Sequence, residues 1–305
     1  MDVMNRCGHR KFILSPIMTI LQDAATACGG IGGGIETQSL AEYVLQTTFL
    51  KMTGASEQKL KCICWDLATN DYSYRYHYLK KKYGECSSYD EKCGIYQDLV
   101  KIICSMDSSF TVDSIFYGID ISSKEKELIE QKILQTKKRQ EKQKNRKLTE
   151  QEFEKLYKGM SGHFAKFGLC EKEKTHFRKV VLFESIQYNL NRIIGETLVA
   201  KWEQSNYFNY LKYWKKLSDL SYADGDVLLC KELHDFYTDY VYSHRNRCAH
   251  NLISFQNNMP TLKTLTTEGY IYDNYYFRFS ILILLDEIFR KLYEKYIELL
   301  ETVEG

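Results

Sequence analysis

The chain is predicted to be all-α, with a mainly helical N-terminal region and a C-terminal antiparallel four-helix bundle. Two observations carry this. Only two prolines, Pro16 and Pro260, occur in 305 residues, so long helices can run without losing a backbone donor. Apolar residues also recur at three- and four-residue intervals over long stretches, the period of one helix face.

In chain order, residues 1–120 form an N-terminal unit of unassigned role. A helix is expected from Ser15 to Ala27, followed by the glycine-rich loop of residues 29–34. Helical patterns resume over Leu40–Met52 and again over Glu57–Leu67, where Leu60, Ile63 and Leu67 share a side. The glycine loop lacks the Lys-Ser/Thr of a phosphate-binding loop and no strand precedes it, so it reads as a connector. Tyr72, Tyr74, Tyr76 and Tyr78 alternate with polar residues before Lys80-Lys81-Lys82. As a strand they would form a base-stacking face; as a helix they would spread around the axis and pack, which is the favoured reading.

Residues 121–160 are a charged helix or linker. Between Lys137 and Lys147 lie seven basic residues and one acid, with no apolar stripe. Lys137, Lys138, Arg139, Lys142, Lys144, Arg146 and Lys147 are the candidate RNA-attracting cations; a solvated helix face is the alternative.

Residues 161–305 read as the bundle. The first stripe is Phe177, Val180, Val181, Ile186, Leu190, Ile193, Ile194 and Leu198. The second is Tyr207, Leu211, Trp214 and Leu217. The third is Leu229, Leu233, Phe236, Tyr237, Tyr240 and Val241. The fourth runs from Ile281 through Leu284, Leu285, Ile288, Phe289, Leu292 and Tyr296 to Leu300.

A net charge of +2 does not announce a nucleic-acid binder. No apolar run of membrane-spanning length is present and the start lacks a secretion signal's apolar centre, so a cytoplasmic protein with no membrane association is expected. The ten cysteines then read as reduced thiols. Cys62, Cys64, Cys86 and Cys93 lack paired Cys-x-x-Cys spacing and read as buried thiols rather than zinc ligands. Neither metal nor cofactor is expected.

The third helix leads into Tyr242-Ser243-His244-Arg245-Asn246-Arg247-Cys248-Ala249-His250-Asn251. A histidine moves protons near neutral pH, and an arginine holds phosphate with a planar fork of donors. RNA brings its own nucleophile in the 2′-hydroxyl. On a helical wheel started at Leu233, the core direction lies at about 20° and Arg245 at about 120°. Asn246 falls at about 220° and His250 at about 260° on the same wheel. The motif is therefore expected on the face opposite the core, with Asn246 one turn from His250 and able to orient it. Arg245 and His250 point about 140° apart, so a second copy of the chain is expected to complete the cleft.

Arg245-Asn246-Arg247-Cys248-Ala249-His250 resembles the R-x4-6-H signature of the HEPN superfamily (higher eukaryote and prokaryote nucleotide-binding proteins), in which a polar residue commonly follows the arginine. The four-helix pattern and the long last helix resemble it too, over roughly 130 C-terminal residues; residues 1–160 carry no such resemblance. The resemblance implies a metal-independent endoribonuclease, dimeric through the Arg245–His250 helix face, acting as a toxin or anti-phage effector with an antitoxin or defence-system partner. Arg245 and His250 would be the catalytic pair, with Asn246 supporting them. His244 and Arg247 are further candidates for RNA contact. Some toxins of the superfamily carry, two residues after the histidine, a tyrosine that an antitoxin modifies; Leu252 stands there. The non-catalytic alternative is a HEPN-like module that binds RNA, a nucleotide or a protein.

Overall fold

The last helix organises the fold because its first half is apolar on nearly every side. In the computed structural model, which describes residues 3–29, 38–81, 84–122, 125–195, 221–250 and 274–304, every residue from Asn274 to Asp286 is buried. A helix apolar all round finds a stable place only when other elements surround it. Asn274 starts it, its side-chain oxygen accepting from the Phe277 amide at 2.8 Å.

The described elements are α1 (Val3–Leu14), α2 (Met18–Ala27), α3 (Gln38–Asn70), α4 (Tyr72–Lys81) and α5 (Tyr89–Met106). Then come a short 3-10 turn (Val112–Phe116), α6 (Glu125–Lys144), α7 (Glu150–Phe167) and α8 (Glu171–Gly195). A hairpin of β1 (Tyr222–Asp224) and β2 (Val227–Leu229) precedes α9 (Lys231–Phe236), a π-helical segment (Tyr237–Tyr242), α10 (Ser243–His250) and α11 (Tyr275–Glu304). The chain is mainly α, as its sequence predicts. The helix expected around Tyr207–Leu217 lies outside the described residues, as do Gly30–Gly34 of the glycine loop.

Packing divides the chain differently from composition. One compact unit joins residues 1–115 to residues 183–305, and a second comprises residues 116–182. The boundaries drawn near residues 120 and 160 therefore do not separate the first and last parts of the chain. α1, α3 and α5 all pack on α11, a long-range relation that local composition does not carry.

Within the first unit, Phe49, Met52, Leu60, Ile63 and Leu67 of α3 and Ile95, Leu99 and Ile103 of α5 are buried with Ile281, Leu284, Ile288 and Leu292 of α11. The stretches read separately as Leu40–Met52 and Glu57–Leu67 are one 33-residue helix. Thr53-Gly54 interrupts the stripe in sequence without breaking the backbone. A buried ion pair, Lys59 Nζ to Asp286 Oδ1 at 2.6 Å, crosses from α3 to α11. Asp286 also accepts from the Ile17 amide at 3.0 Å. α5 begins with a capping box: Ser88 Oγ accepts from the Glu91 amide and Glu91 accepts from the Ser88 amide.

The β-hairpin, which periodicity does not reveal, turns through Gly225-Asp226 with Tyr222 opposite Leu229. Gly225 takes φ +55°, a conformation that favours glycine. The hairpin is fixed to α5 by Tyr96, whose hydroxyl donates to the Gly225 carbonyl at 2.7 Å, and by Tyr89, which meets the Leu229 backbone.

The second unit has its own core of Ile121, Ile133, Phe164, Leu169 and Phe177. The charged stretch is thus the outer side of a packed helical hairpin, α6 against α7, rather than a linker. Thr149 and Glu152 form the capping box of α7.

Candidate functional site

The motif helix changes gait just before the motif. From Tyr237 to Tyr242 the backbone is π-helical, and both the Ser243 amide and the Ser243 hydroxyl donate to the Thr238 carbonyl, five residues back. A wide turn absorbs one extra residue, which retards everything after it by about 100°. Arg245, placed at about 120° by ideal counting, moves to about 20°, in line with Tyr237 and Val241. The expected position opposite the core is therefore corrected: α10 packs on α3, and Arg245 is directed at it.

Arg245 Nη2 donates to Glu57 Oε2 of α3 at 3.1 Å, and Arg245 Nη1 donates to Asn246 Oδ1 at 3.3 Å. The Arg245 side chain is 23% exposed and that of Glu57 12%. These contacts fix the plane of the guanidinium and engage two of its five N–H donors. Asn246 thus addresses Arg245. His250 is the last described residue of α10 and its side chain lies outside what is described, so the expected Asn246–His250 contact does too.

The crevice at Arg245 also takes in Tyr237, Tyr242 and Lys92, and its volume of about 10 Å³ has room for one water. Lys92 of α5 is 2% exposed and donates to the Cys86 carbonyl. Burial pulls its pKa down to about 8, Glu57 and Cys86 oppose the shift, and Arg245 adds to it. Motif reading misses both Glu57 and Lys92. Glu57 stands at the head of a recognised helical stripe, but nothing local in sequence links it to residue 245.

His244 is not a surface group. It is 1% exposed, with Nε2 3.2 Å from the Tyr275 hydroxyl and Nδ1 3.4 Å from Arg247 Nη2. Its ring lies 5.1 Å from that of Phe49. Burial, reinforced by Arg278 and Arg247, holds its pKa well below the usual imidazole value. It is a buried core imidazole, which corrects its expected role in RNA contact. Arg247, the other extra candidate, is half-buried and faces His244.

The basic candidates of the second unit separate into two groups. Lys144 and Arg146 pair with Glu152 at 3.0 and 2.8 Å, and Lys137 sits 4.2 Å above the Phe153 ring. Hydrogen bonds from Arg146, the Thr149 amide and Lys144 hold the Glu152 carboxyl well below the usual range. Lys138, Arg139, Lys142 and Lys147 are exposed.

Cys62, Cys64 and Cys86 are buried and Cys93 half-buried. A hydrogen bond between the Cys64 and Cys86 thiols raises the pKa of the first and lowers that of the second. Among the described residues, no three His, Cys, Asp or Glu side chains gather as metal ligands. The tyrosine run is helical: Tyr74 is buried and Tyr78 half-buried, while Tyr72 and Tyr76 are exposed. Packing therefore claims one face of that helix only. Among the described residues, no helix is long and apolar enough to cross a membrane.

Whole-chain comparison adds no relative to this geometry: no family model, no curated protein and no solved structure matches.

Proposed function

We propose that this protein is a metal-independent endoribonuclease of HEPN type, with Arg245 and His250 as its catalytic pair. The observation that supports it best is the Arg245 guanidinium, held in one orientation by Glu57 and Asn246 while part of it stays open to solvent, five residues before a histidine on the same helix. His250 removes the proton from a ribose 2′-hydroxyl, whose oxygen attacks the adjacent phosphorus. Arg245 stabilises the charged phosphorane. His250 gives that proton to the departing 5′-oxygen, and a 2′,3′-cyclic phosphate remains. Glu57 is a positioning residue, acting through Arg245.

The same reading takes the C-terminal helices as part of a HEPN-type bundle whose Arg245–His250 face meets a second copy. It takes RNA as substrate, the cytoplasm as location, and a toxin or anti-phage effector role controlled by an antitoxin or defence-system partner.

One observation favours a second reading. Pairing with Glu57 already neutralises Arg245, as suits a HEPN-like module that binds RNA, a nucleotide or a protein without cleaving. Incubating total RNA with the protein in EDTA separates the two. Under the first reading wild type cleaves, His250→Ala and Arg245→Ala do not, and His250→Ala still binds RNA. Wild-type protein that binds RNA yet never cleaves it leaves the binding module.

A further inference from the structure

α4 divides its tyrosines between two faces. On a helical wheel started at Tyr72, Tyr74 and Tyr78 fall at about 200° and 240°, and Tyr76 at about 40°. Tyr74 is buried and Tyr78 half-buried, their rings 5.8 Å apart. Tyr72 and Tyr76 are turned the other way and are 85% and 54% exposed. They stand one turn apart, about 6 Å along the axis, with the exposed Leu79 at about 340° on the same side. Contiguous exposed apolar surface of this kind marks an interaction site.

The charge around the two rings selects the kind of partner. Arg75 at about 300° and Lys80 at about 80° flank them on the wheel, and both are exposed. Lys80 Nζ sits 4.2 Å above the Tyr76 ring, a cation already resting on an aromatic face. α4 contains no acid. Asp71, just before it, is half-buried and accepts from the Tyr74 amide at 2.9 Å. Glu85, beyond it, pairs with Lys61, and Asp98, across the groove on α5, is buried. An apolar protein surface would be met by aliphatic side chains, and Leu79 is the one aliphatic residue of α4. Two rings between two cations suit instead a chain of flat bases joined by phosphates. Aromatic side chains under the bases and cations along the backbone are how unpaired strands are held without sequence preference.

We infer that the outer face of α4 is a stacking platform for single-stranded RNA, with Tyr72 and Tyr76 under the bases and Arg75 and Lys80 on the phosphates. The choice of RNA as the strand rests on the proposed cleavage. The face itself uses neither Arg245 nor His250, so its occupancy does not require that any strand be cut.

Fluorescence anisotropy with a short labelled oligouridylate tests it, in EDTA and with His250→Ala protein so that no strand is cut. Adding Tyr72→Ala/Tyr76→Ala is expected to weaken binding about tenfold or more. Tyr72→Phe/Tyr76→Phe retains it, because the ring and not the hydroxyl stacks. Arg75→Gln/Lys80→Gln lowers the log–log salt slope by about 1.4, two phosphates' worth on a single strand. All four side chains are exposed, so the variants keep the fold, which circular dichroism checks. An oligouridylate–oligoadenylate duplex, whose bases are stacked on one another, is expected to lose little affinity from the alanine pair. Wild-type affinity in the folded alanine variant, or equal losses for strand and duplex, overturns the platform and leaves the face to a protein partner. Absence of any RNA binding overturns it too. Because the readout is binding alone, a wild-type chain that never cleaves would leave the platform standing while removing the catalytic reading.

Discussion

Arg245 Nη2 and Glu57 Oε2 lie 3.1 Å apart, joining side chains 188 positions distant in the chain. The contact makes the motif arginine part of the α3–α10 seam. It also separates two consequences of disturbing Glu57, one on stability and one on where the guanidinium points.

Glu57→Ala is expected to lower stability by about 1–2 kcal/mol in urea denaturation. That is less than for a fully enclosed pair, because part of the guanidinium meets water. RNA cleavage is expected to fall further than stability alone explains, and Glu57→Gln, which keeps an acceptor, to retain more of it. A folded Glu57→Ala protein that cleaves at the wild-type rate would remove Glu57 from the site.

Lys59 and Asp286 are 5% and 3% exposed. Burial pushes the Asp286 carboxyl up and the Lys59 amine down, and their attraction opposes both shifts. Asp286→Ala strands the ammonium and is expected to cost about 3–5 kcal/mol. Lys59→Met/Asp286→Leu together should recover most of that. Denaturant midpoints of the single and double variants check the pair.

His244 ties stability to acid. Its folded pKa is depressed, so below about pH 6.5 the unfolded chain takes up a proton that the folded chain refuses. The stability it leaves intact above that pH is lost as pH falls, by up to about 1.4 kcal/mol per unit. His244→Gln is expected to flatten the fall in melting temperature between pH 6.5 and 5 relative to wild type. Parallel curves would mean that His244 titrates in the folded state.

Much of this architecture is written locally, and the rest is not, for identifiable reasons. α8 and α11 follow their apolar periodicity. α3 reads as two pieces because Thr53-Gly54 blanks the stripe for half a turn. His244 reads as a solvent-facing group because a histidine beside arginines suits a phosphate contact. Its burial against Phe49 and Tyr275 depends on α3 and α11, neither of which is near it in sequence. Arg245 fails differently: its direction depends on a π turn that no residue type announces, and its partner is known only once α3 and α10 meet.

The basic run is expected to act through the members not engaged by Glu152 or the Phe153 ring. Changing Lys138, Arg139, Lys142 and Lys147 together to Gln should lower the salt dependence of RNA binding by up to about 3 in log–log slope. Lys144→Ala or Arg146→Ala should instead loosen the start of α7 through Glu152 and leave that slope nearly unchanged. Filter binding across a salt series, with thermal melts alongside, separates the two groups.

The π-helical stretch also bears on what the chain tolerates. A wide turn is an absorbed insertion: α9 and α10 keep their relative bearing while the path between them holds one surplus residue. Deleting the exposed Asp239 would let the turn close into regular α geometry with Arg245 still facing α3. Adding a residue there would find no slack left and would rotate the motif by about 100°. The helix is thus asymmetric toward length change, forgiving of loss and sensitive to gain.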